Sequence, residues 1–255
     1  MKSIRVTLKL LEALAEENSG LSVLEIARKL SFSKSTTHRT LQILEQEGFA
    51  EQDPTDQRYR RGPRMFNLAF NLSASFDLRN LAHPILKRIV EQVNETVYLC
   101  VYSQKLLVFL DQVQCSHPVQ YINPIGRRQG MHAGAAGKVI LAHLPQGIAN
   151  QILSGRLPRF TPTTITDPRH LRKELKQIKE QGYAISFGEF AAGGVGMAAV
   201  ILDSRSVAVG CINMVIPEDR FRKKKLRVYI NLVRHGAGEL SERLMKSKIV
   251  NPMIL

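Results

Sequence analysis

Tryptophan is absent from this chain of 255 residues, and aromatic residues make up only 6% of it. The three cysteines, Cys100, Cys115 and Cys211, are far apart, odd in number and without a CxxC spacing, which argues against a disulfide framework and a zinc site. Reduced thiols in a cytoplasm are the expected state. No apolar run reaches the roughly 18 residues of a membrane span, and the charged first residues are unlike a signal peptide.

Acidic residues are outnumbered, with 22 against 36 basic ones and a net charge of +14. The first 75 residues contribute little to this excess, because they hold 11 Lys and Arg against 9 Asp and Glu. Any nucleic-acid role of that segment must therefore depend on where its charges are placed. The densest basic run, residues 220–227, is interpreted as a solvated helix face anchored by Phe221 and Leu226, with a DNA or partner contact as the alternative.

Helical spacing predicts three helices at the N-terminus. The first follows from its apolar positions Ile4, Leu8, Leu11 and Ala15. The second begins with a capping box formed by Ser22 and Glu25. After a tight turn over residues 31–33, the third begins with Ser33 as its N-cap and ends at Gly48. This order is that of a helix-turn-helix.

The third helix combines an inward stripe with a polar stripe rich in hydrogen-bond donors. The inward stripe is predicted to contain Thr37, Thr40, Leu41 and Leu44. The opposite stripe, at i, i+3, i+4 and i+7, carries Ser35, His38, Arg39 and Gln42. No acid occurs until Glu45, and the first turn of a helix is itself electropositive. These side chains can donate to phosphates and base edges, so the sequence predicts a recognition helix to which Lys34 and Thr36 also contribute.

A basic hairpin follows the third helix. Strands over 49–52 and 57–60 are predicted around the turn-forming residues 53–56. Tyr59 would point inward, while Arg58 and Arg60 would point outward beside Arg61 and contact phosphates. Residues 1–62 are therefore predicted to form a winged helix-turn-helix that binds double-stranded DNA.

The remaining residues are predicted to form a linker helix, 63–80, and an α+β domain, 81–255. The apolar face of the linker helix is a candidate dimer contact. Strands are predicted over 96–102, 105–113, 119–122, 183–187, 197–203 and 207–215, with helices over 134–144, after Asp167-Pro168 to Gly182, and over 217–245. Antiparallel hairpins with helices at the ends indicate α+β and not alternating βαβ units.

Several blocks of this sequence resemble IclR-type bacterial transcription regulators over essentially the full chain. They are Ser33-Lys34-Ser35-Thr36 with His38-Arg39, Tyr59-Arg60-x-Gly62, Pro124-Ile125-Gly126, residues 131–138 and Gln181-Gly182-Tyr183-Ala184. The resemblance implies a winged helix-turn-helix, a GAF- or profilin-like effector-binding domain, and a homodimer or homotetramer on operator DNA. The function it implies is that of a regulator, more often a repressor, of a catabolic operon.

The resemblance also implies an effector site between the loop after His132 and the sheet. Its residues would be His132, Ala133, Gly134, Ala135, Ala136, Ser186, Gly196, Met197, Asn213 and Val215. This chain has Ser186 where the family often has an acid, Gly196 where it often has a cysteine, and Asn213 to Pro217 where Ser-x-Ser-Gly-Pro is common. The site has thus lost a charge and gained room. An organic acid with more than two or three carbons is expected, with its carboxylate at backbone N–H groups of the loop.

Other motifs are rejected on spacing. Gly134 to Lys138 lacks the length and the final Ser or Thr of a phosphate loop, and Gly194 to Ala199 leads into a strand instead of a helix. His132, His143, Asp167 and His170 lack metal-site spacing, and no nucleophile or acid–base pair is recognisable. No cofactor, metal or enzymatic activity is expected. The alternative function is a metabolite-binding enzyme or storage protein whose N-terminal helices serve assembly.

Overall fold

A computed structural model of the protein describes residues 2–17, 19–74 and 77–247. It divides into two compact units, Met1–Phe76 and Asp77–Leu255. The boundary falls inside the predicted linker 63–80, so the two helices of that segment belong to different units. Among the described residues, no helix combines the length and the apolar character that crossing a membrane requires.

The N-terminal unit contains helices and one antiparallel hairpin. In chain order the elements are α1 (Lys2–Glu16), α2 (Val23–Leu30), α3 (Lys34–Gln46), β1 (Ala50–Gln52), β2 (Tyr59–Arg61) and α4 (Pro63–Ala74). The predicted capping box is present, because the Glu25 N–H donates to Ser22 Oγ at 3.3 Å and the Ser22 N–H donates to Glu25 Oε2 at 2.7 Å. Ser33 caps α3 by accepting from the Thr36 N–H at 3.2 Å. The predicted winged helix-turn-helix is thereby confirmed.

The core of the N-terminal unit joins the inner faces of its first three helices to the hairpin. It contains Leu10, Leu14, Ile26, Leu41, Leu44, Ala50 and Tyr59. The apolar positions that indicated α1 are largely outside this core, since Ile4 is 67% exposed and Leu8 is 56% exposed. Apolar residues occupy two stripes of α1, and only the stripe of Leu10 and Leu14 faces the core. The outer stripe is left uncovered within the unit.

The C-terminal unit is an antiparallel sheet between two layers of helices. Its elements are α5 (Asp77–Val93), β3 (Thr96–Ser103), β4 (Leu106–Val113), β5 (Arg128–Gln129), α6 (Gly134–His143), α7 (Gln146–Leu153), α8 (Pro168–Gln181), β6 (Tyr183–Phe187), β7 (Gly194–Leu202), β8 (Ala208–Pro217), a 3-10 turn (Lys223–Lys225) and α9 (Leu226–Ser247). The strand order is β5-β4-β3-β8-β7-β6. The predicted α+β class is confirmed.

Three details of the C-terminal unit differ from the sequence prediction. Residues 119–122 form no strand; the Tyr98 hydroxyl donates to the Tyr121 carbonyl oxygen and fixes this segment outside the sheet. The last helix begins at Leu226, because β8 continues to Pro217 and a 3-10 turn follows. Helix α7 was not predicted, because it is short and only its Leu153 is buried, which leaves no repeated apolar spacing in its sequence.

Alternation along the strands separates two cores. Leu99, Met197 and Met214 face α5 and α9, whereas their neighbours Cys100, Ala198 and Asn213 face the side of α6. The three cysteines are free thiols and are buried. Burial raises the pKa of Cys100 well above its ordinary value, so this thiol stays protonated at neutral pH.

Candidate functional site

The outer face of α3 presents hydrogen-bond donors that no described part of the protein engages. Thr37, Leu41 and Leu44 are buried as predicted, whereas Thr40 is only half-buried and donates to the Thr36 carbonyl oxygen at 2.8 Å. The side chains on the other side of the helix are exposed. Among them, Lys34, His38, Arg39 and Gln42 form no hydrogen bond or ion pair with the described residues. This face is open to an external anion or acceptor.

Arg58 does not project freely from the hairpin. Its guanidinium donates to both carboxylate oxygens of Glu25, at 2.8 and 3.1 Å, and to the Gly20 carbonyl oxygen at 2.9 Å. The same carboxylate accepts from the Ser22 N–H, and this bond, then the Ser22 hydroxyl and then the Arg58 charge hold the pKa of Glu25 below its usual value. Arg58 lies on the surface opposite the buried Tyr59, as predicted, but it is paired with the acid of the α2 capping box, which was not predicted.

The other hairpin arginines are also engaged. Arg60 forms ion pairs with Asp53 and Asp56 in the turn between β1 and β2, with Nη2 2.7 Å from Asp56 Oδ2. The Arg61 guanidinium lies 3.4 Å from the Glu17 carbonyl oxygen. All three arginines retain partial exposure. Their guanidinium groups therefore remain within reach of solvent, but each is oriented by a partner within the unit.

A cavity of about 190 Å³ lies in the C-terminal unit on the α6 side of the sheet. Of the ten residues predicted for an effector site, seven line it. They are Gly134, Ala135, Ala136, Ser186, Gly196, Asn213 and Val215. Gly196 is the position that gives the cavity its width, because a Cβ there would approach the Ala135 Cβ to 3.4 Å and Asn213 Oδ1 to 3.9 Å.

Three predicted residues do not line this cavity. Met197 belongs to the opposite core, because successive residues of a strand face opposite sides of the sheet. His132 is buried, with Nε2 2.8 Å from the Pro158 carbonyl oxygen and its ring stacked on Phe160. Ala133 is fully buried as the N-cap of α6. His132 and Ala133 directly precede α6 and are buried without reaching the cavity.

Nine further residues line the cavity that were not predicted from the sequence. Its additional lining residues are Phe109, Tyr121, Ile122, Asn123, Arg127, Gln129, Phe190, Ala191 and Gly194. Arg127 is the only cation in the lining among the described residues; it donates to Asn123 Oδ1 at 2.8 Å and its guanidinium carbon lies 5.2 Å from the centroid of the Phe190 ring. Four of them, including Arg127, lie between β4 and β5, where only the adjacent Pro124-Ile125-Gly126 block indicated a site.

Tyrosine hydroxyls hold the irregular segment before β5 against the cavity. Burial raises the pKa of Tyr98 to about 12, so its hydroxyl stays protonated and donates to the Tyr121 carbonyl oxygen. The Tyr121 hydroxyl in turn donates to the Ala192 carbonyl oxygen at 2.6 Å. The Tyr121 ring needs the glycine at 194, since a Cβ there would lie 3.2 Å from its Cζ.

The N-terminus of α6 already has a carboxylate of the protein itself. The Gly134 N–H donates to Glu189 Oε2 at 3.3 Å. Lys138, which is completely buried, forms ion pairs with Glu189 and with Glu174, the latter at 2.6 Å. This triad of two carboxylates and one ammonium is net negative. The sequence analysis considered Lys138 only as part of a rejected phosphate loop and did not predict this buried ion pair. A single lysine in an otherwise apolar helix was the feature that could have indicated it.

Two other groups singled out in the sequence have local structural partners. His143 Nδ1 lies 2.8 Å from the Val139 carbonyl oxygen, and Asp167 caps α8 by accepting from the N–H groups of Arg169 and His170. In the basic run 220–227, Phe221 and Leu226 are half-buried against the core, as predicted. Arg220 forms an ion pair with Glu95 at 2.7 Å.

Comparison with known families matches both units. Residues 3–54 match the IclR helix-turn-helix domain, and residues 71–242 match the bacterial transcriptional regulator IclR C-terminal domain. The chain is 32% identical over 244 residues to the transcriptional repressor IclR of Escherichia coli, covering 94% of this chain and 89% of that protein. It is 30% identical over 236 residues to the transcriptional repressor AllR of Escherichia coli, covering 92% and 87%.

Solved structures agree over nearly the whole length. The IclR structure from Thermotoga maritima superimposes with a TM-score of 0.80 at 27% identity, covering 96% of this chain and 99% of that one. An IclR homologue from Microbacterium hydrocarbonoxydans, complexed with 4-hydroxybenzoate, superimposes with a TM-score of 0.83 at 26% identity, covering 95% and 98%.

Proposed function

Because this chain belongs to the IclR family of bacterial transcriptional regulators, we propose that it is a repressor of a catabolic operon, released from its operator by a small organic acid. The observation that supports DNA binding most directly is the uncommitted donor face of α3, formed by Lys34, His38, Arg39 and Gln42. Such a face has the groups that bind guanine, adenine and phosphate in a major groove. Because operator DNA is in the cytoplasm, the protein is proposed to act there.

The hairpin is proposed to contribute in two ways. Arg58→Ala should weaken binding to specific and random DNA alike without changing the slope of log affinity against log salt, because Arg58 positions the hairpin through Glu25. Glu25→Gln, the matched variant, should act in the same direction. Arg60→Ala and Arg61→Ala should instead flatten the slope by about one unit each, the loss of one phosphate contact. Fluorescence anisotropy across a salt series measures the slope for each variant. A flatter slope for Arg58→Ala would show that Arg58 contacts a phosphate directly.

The active species is proposed to be at least a dimer, because one recognition helix reads too few base pairs for useful specificity. The N-terminal unit supports this with exposed apolar side chains, Ile4 and Leu8 on α1 and Phe66 on α4, the last 59% exposed. We expect inverted-repeat half-sites separated by about one helical turn or a multiple of it. Light scattering of the free and DNA-bound protein tests the prediction, and a monomer in both states would refute it. A homotetramer of two such dimers fits the same symmetry.

The cavity of the C-terminal unit is proposed to bind the effector, an organic acid of more than three carbons. Its volume, its apolar walls and Arg127, the one cation among the described residues that line it, support this class of ligand. The 4-hydroxybenzoate bound to the homologue from Microbacterium hydrocarbonoxydans is an acid of this kind. The effector can shift DNA affinity only by the ratio of its affinities for the two conformations, typically about 1–3 kcal/mol.

Gly196→Phe tests the cavity as the effector site. The new ring would enter the space between Ala135 and Asn213, so stabilising hits from a thermal-shift screen of organic acids should be lost. Operator binding should survive, because the change lies in the other unit. Gly147→Phe, at an exposed position of α7 where a Cβ meets nothing within 4 Å, is the matched control and should keep the hits. Hits that persist in Gly196→Phe would place the ligand elsewhere.

A further inference from the structure

The cavity contains three buried polar side chains that are bonded to nothing in the described chain. Ser186, Asn213 and Gln129 are 4%, 5% and 9% exposed, and all three line the cavity. None of them forms a hydrogen bond with a described residue, and Asn213 Oδ1 and Gln129 Oε1 are fully buried acceptors without a partner. Buried polar groups in folded proteins are nearly always satisfied, so a cluster of three indicates a ligand that satisfies them.

The hydrogen-bonding capacity of these side chains matches a hydroxyl group of a ligand. A carboxamide offers both an acceptor oxygen and a donor nitrogen, and which of the two faces a partner is an assignment of its orientation. A hydroxyl complements an amide in either orientation, because it both donates and accepts. A carboxylate only accepts, so it can satisfy these side chains only where an amide nitrogen faces it, whereas a hydroxyl satisfies them in both orientations.

The charges around the cavity determine where the carboxylate lies. At the start of α6, the Gly134 N–H already donates to Glu189, which belongs to the net negative triad with Lys138 and Glu174. A second carboxylate there would face one of like charge. Arg127 is the lining cation, and it is exposed toward solvent, where an anion stays partly hydrated. The carboxylate is thus favoured at Arg127 and not at the N-terminus of α6, contrary to the expectation from sequence.

The size and walls of the cavity determine the body of the ligand. Its volume is about 190 Å³. An apolar protein cavity of about 150 Å³ is known to hold benzene, so a six-membered ring with small substituents fits. The apolar part of the lining includes Phe109, Ile122 and Phe190, and the Phe190 ring lies against Arg127. Flat apolar faces of this kind favour a ring over an extended chain.

We propose that the effector is a hydroxylated carboxylic acid with a body the size of a six-membered ring, its carboxylate at Arg127 and its hydroxyls at Asn213, Gln129 and Ser186. This inference rests on the proposed effector role of the cavity and adds the class and orientation of the ligand. It assigns specificity to Asn213 and Gln129, and anion recognition to Arg127.

Calorimetric titration of the full-length protein with benzoate, 4-hydroxybenzoate and 3,4-dihydroxybenzoate tests the hydroxyl requirement. Affinity should rise about three- to tenfold with each hydroxyl, the range for a net hydrogen bond in a buried site. Asn213→Leu and Gln129→Leu, each of similar shape and each checked by its melting temperature, should flatten the series by weakening the hydroxylated acids alone. Equal affinities across the series in the wild type would overturn the proposal.

A second comparison tests the orientation. Arg127→Gln should lower the affinity for 3,4-dihydroxybenzoate at least about tenfold and leave its uncharged amide, 3,4-dihydroxybenzamide, unchanged. Unchanged binding of the acid would overturn the assignment of Arg127. Gluconate, which has the carboxylate and hydroxyls without a ring, should bind more weakly than 3,4-dihydroxybenzoate, and tighter binding would overturn the ring-sized body. Persistent binding to Gly196→Phe would instead refute the cavity itself, which separates failure of the proposed function from failure of this inference.

Discussion

Lys138→Met is expected to destabilise the C-terminal unit by about 3–5 kcal/mol, the usual cost of removing one partner from a buried ion pair. The ammonium of Lys138 is completely buried between Glu189 and Glu174. Methionine fills a similar volume, so the loss would come from two carboxylates left without their counter-charge and not from a void. Denaturant unfolding monitored by circular dichroism measures the change.

Two further variants separate the charge effect from packing. Lys179→Met makes the same substitution at an exposed position of α8 and should change stability by less than about 0.5 kcal/mol. Lys138→Met combined with Glu174→Gln and Glu189→Gln should recover most of the loss, because no uncompensated charge remains. A single variant that unfolds within 1 kcal/mol of wild type, on the scale of a surface substitution, would contradict the importance of the triad.

Loss of the recognition side chains is expected to have the largest effect on DNA binding. Arg39→Ala and His38→Ala should each lower operator affinity by about 1–3 kcal/mol, the value of one good base contact. Folding should be unaffected, since both side chains are exposed opposite the buried Leu41 and Leu44. Anisotropy with genomic fragments selected from the native host, compared with random DNA, measures the loss of specificity.

The matched control for Arg39→Ala is Lys176→Ala, which lowers the net charge by the same amount from an exposed site on α8. It should leave the ratio of specific to random binding unchanged, because bulk charge acts on all sequences alike. Wild-type operator affinity in both Arg39→Ala and His38→Ala would show that this face of α3 is not the one that reads DNA.

The N-terminal unit could be predicted well because the features that define its helices and hairpin depend on residues close together in the sequence. The capping box of Ser22 and Glu25, the N-cap Ser33 and the inward Tyr59 each follow from neighbours in sequence, and each is found. The pairing of Arg58 was not predicted, because its acceptors, Gly20 and Glu25, are more than thirty residues away in the sequence. Periodicity predicts which residues share a face of a helix or strand. The acid or carbonyl group that an arginine side chain pairs with depends on the tertiary fold.

The cavity illustrates the same limit in the C-terminal unit. The sequence motifs predicted the lining residues that come from the start of α6 and from the strands, including Gly134, Ser186 and Asn213. Arg127 lies in the irregular segment before β5, and Gln129 lies in the two-residue strand β5 itself. The course of that segment is fixed by the hydrogen bond from the Tyr98 hydroxyl to the Tyr121 carbonyl oxygen and by the bond from the Tyr121 hydroxyl to the Ala192 carbonyl oxygen. No pattern of alternating residues encodes such a path, so the cation and one of the amides could not be assigned before the fold was known.

The alternation along the strands has an evolutionary consequence. On β8, Asn213 and Val215 face the cavity, whereas Ile212, Met214 and Ile216 pack into the core with α5 and α9. Under the proposed effector role of the cavity, the positions that set ligand preference and those that stabilise the domain therefore alternate along one strand. A lineage could exchange its inducer by substitutions at every second residue while its folding free energy drifts little, so a scaffold of this kind can acquire new metabolic signals without first becoming more stable.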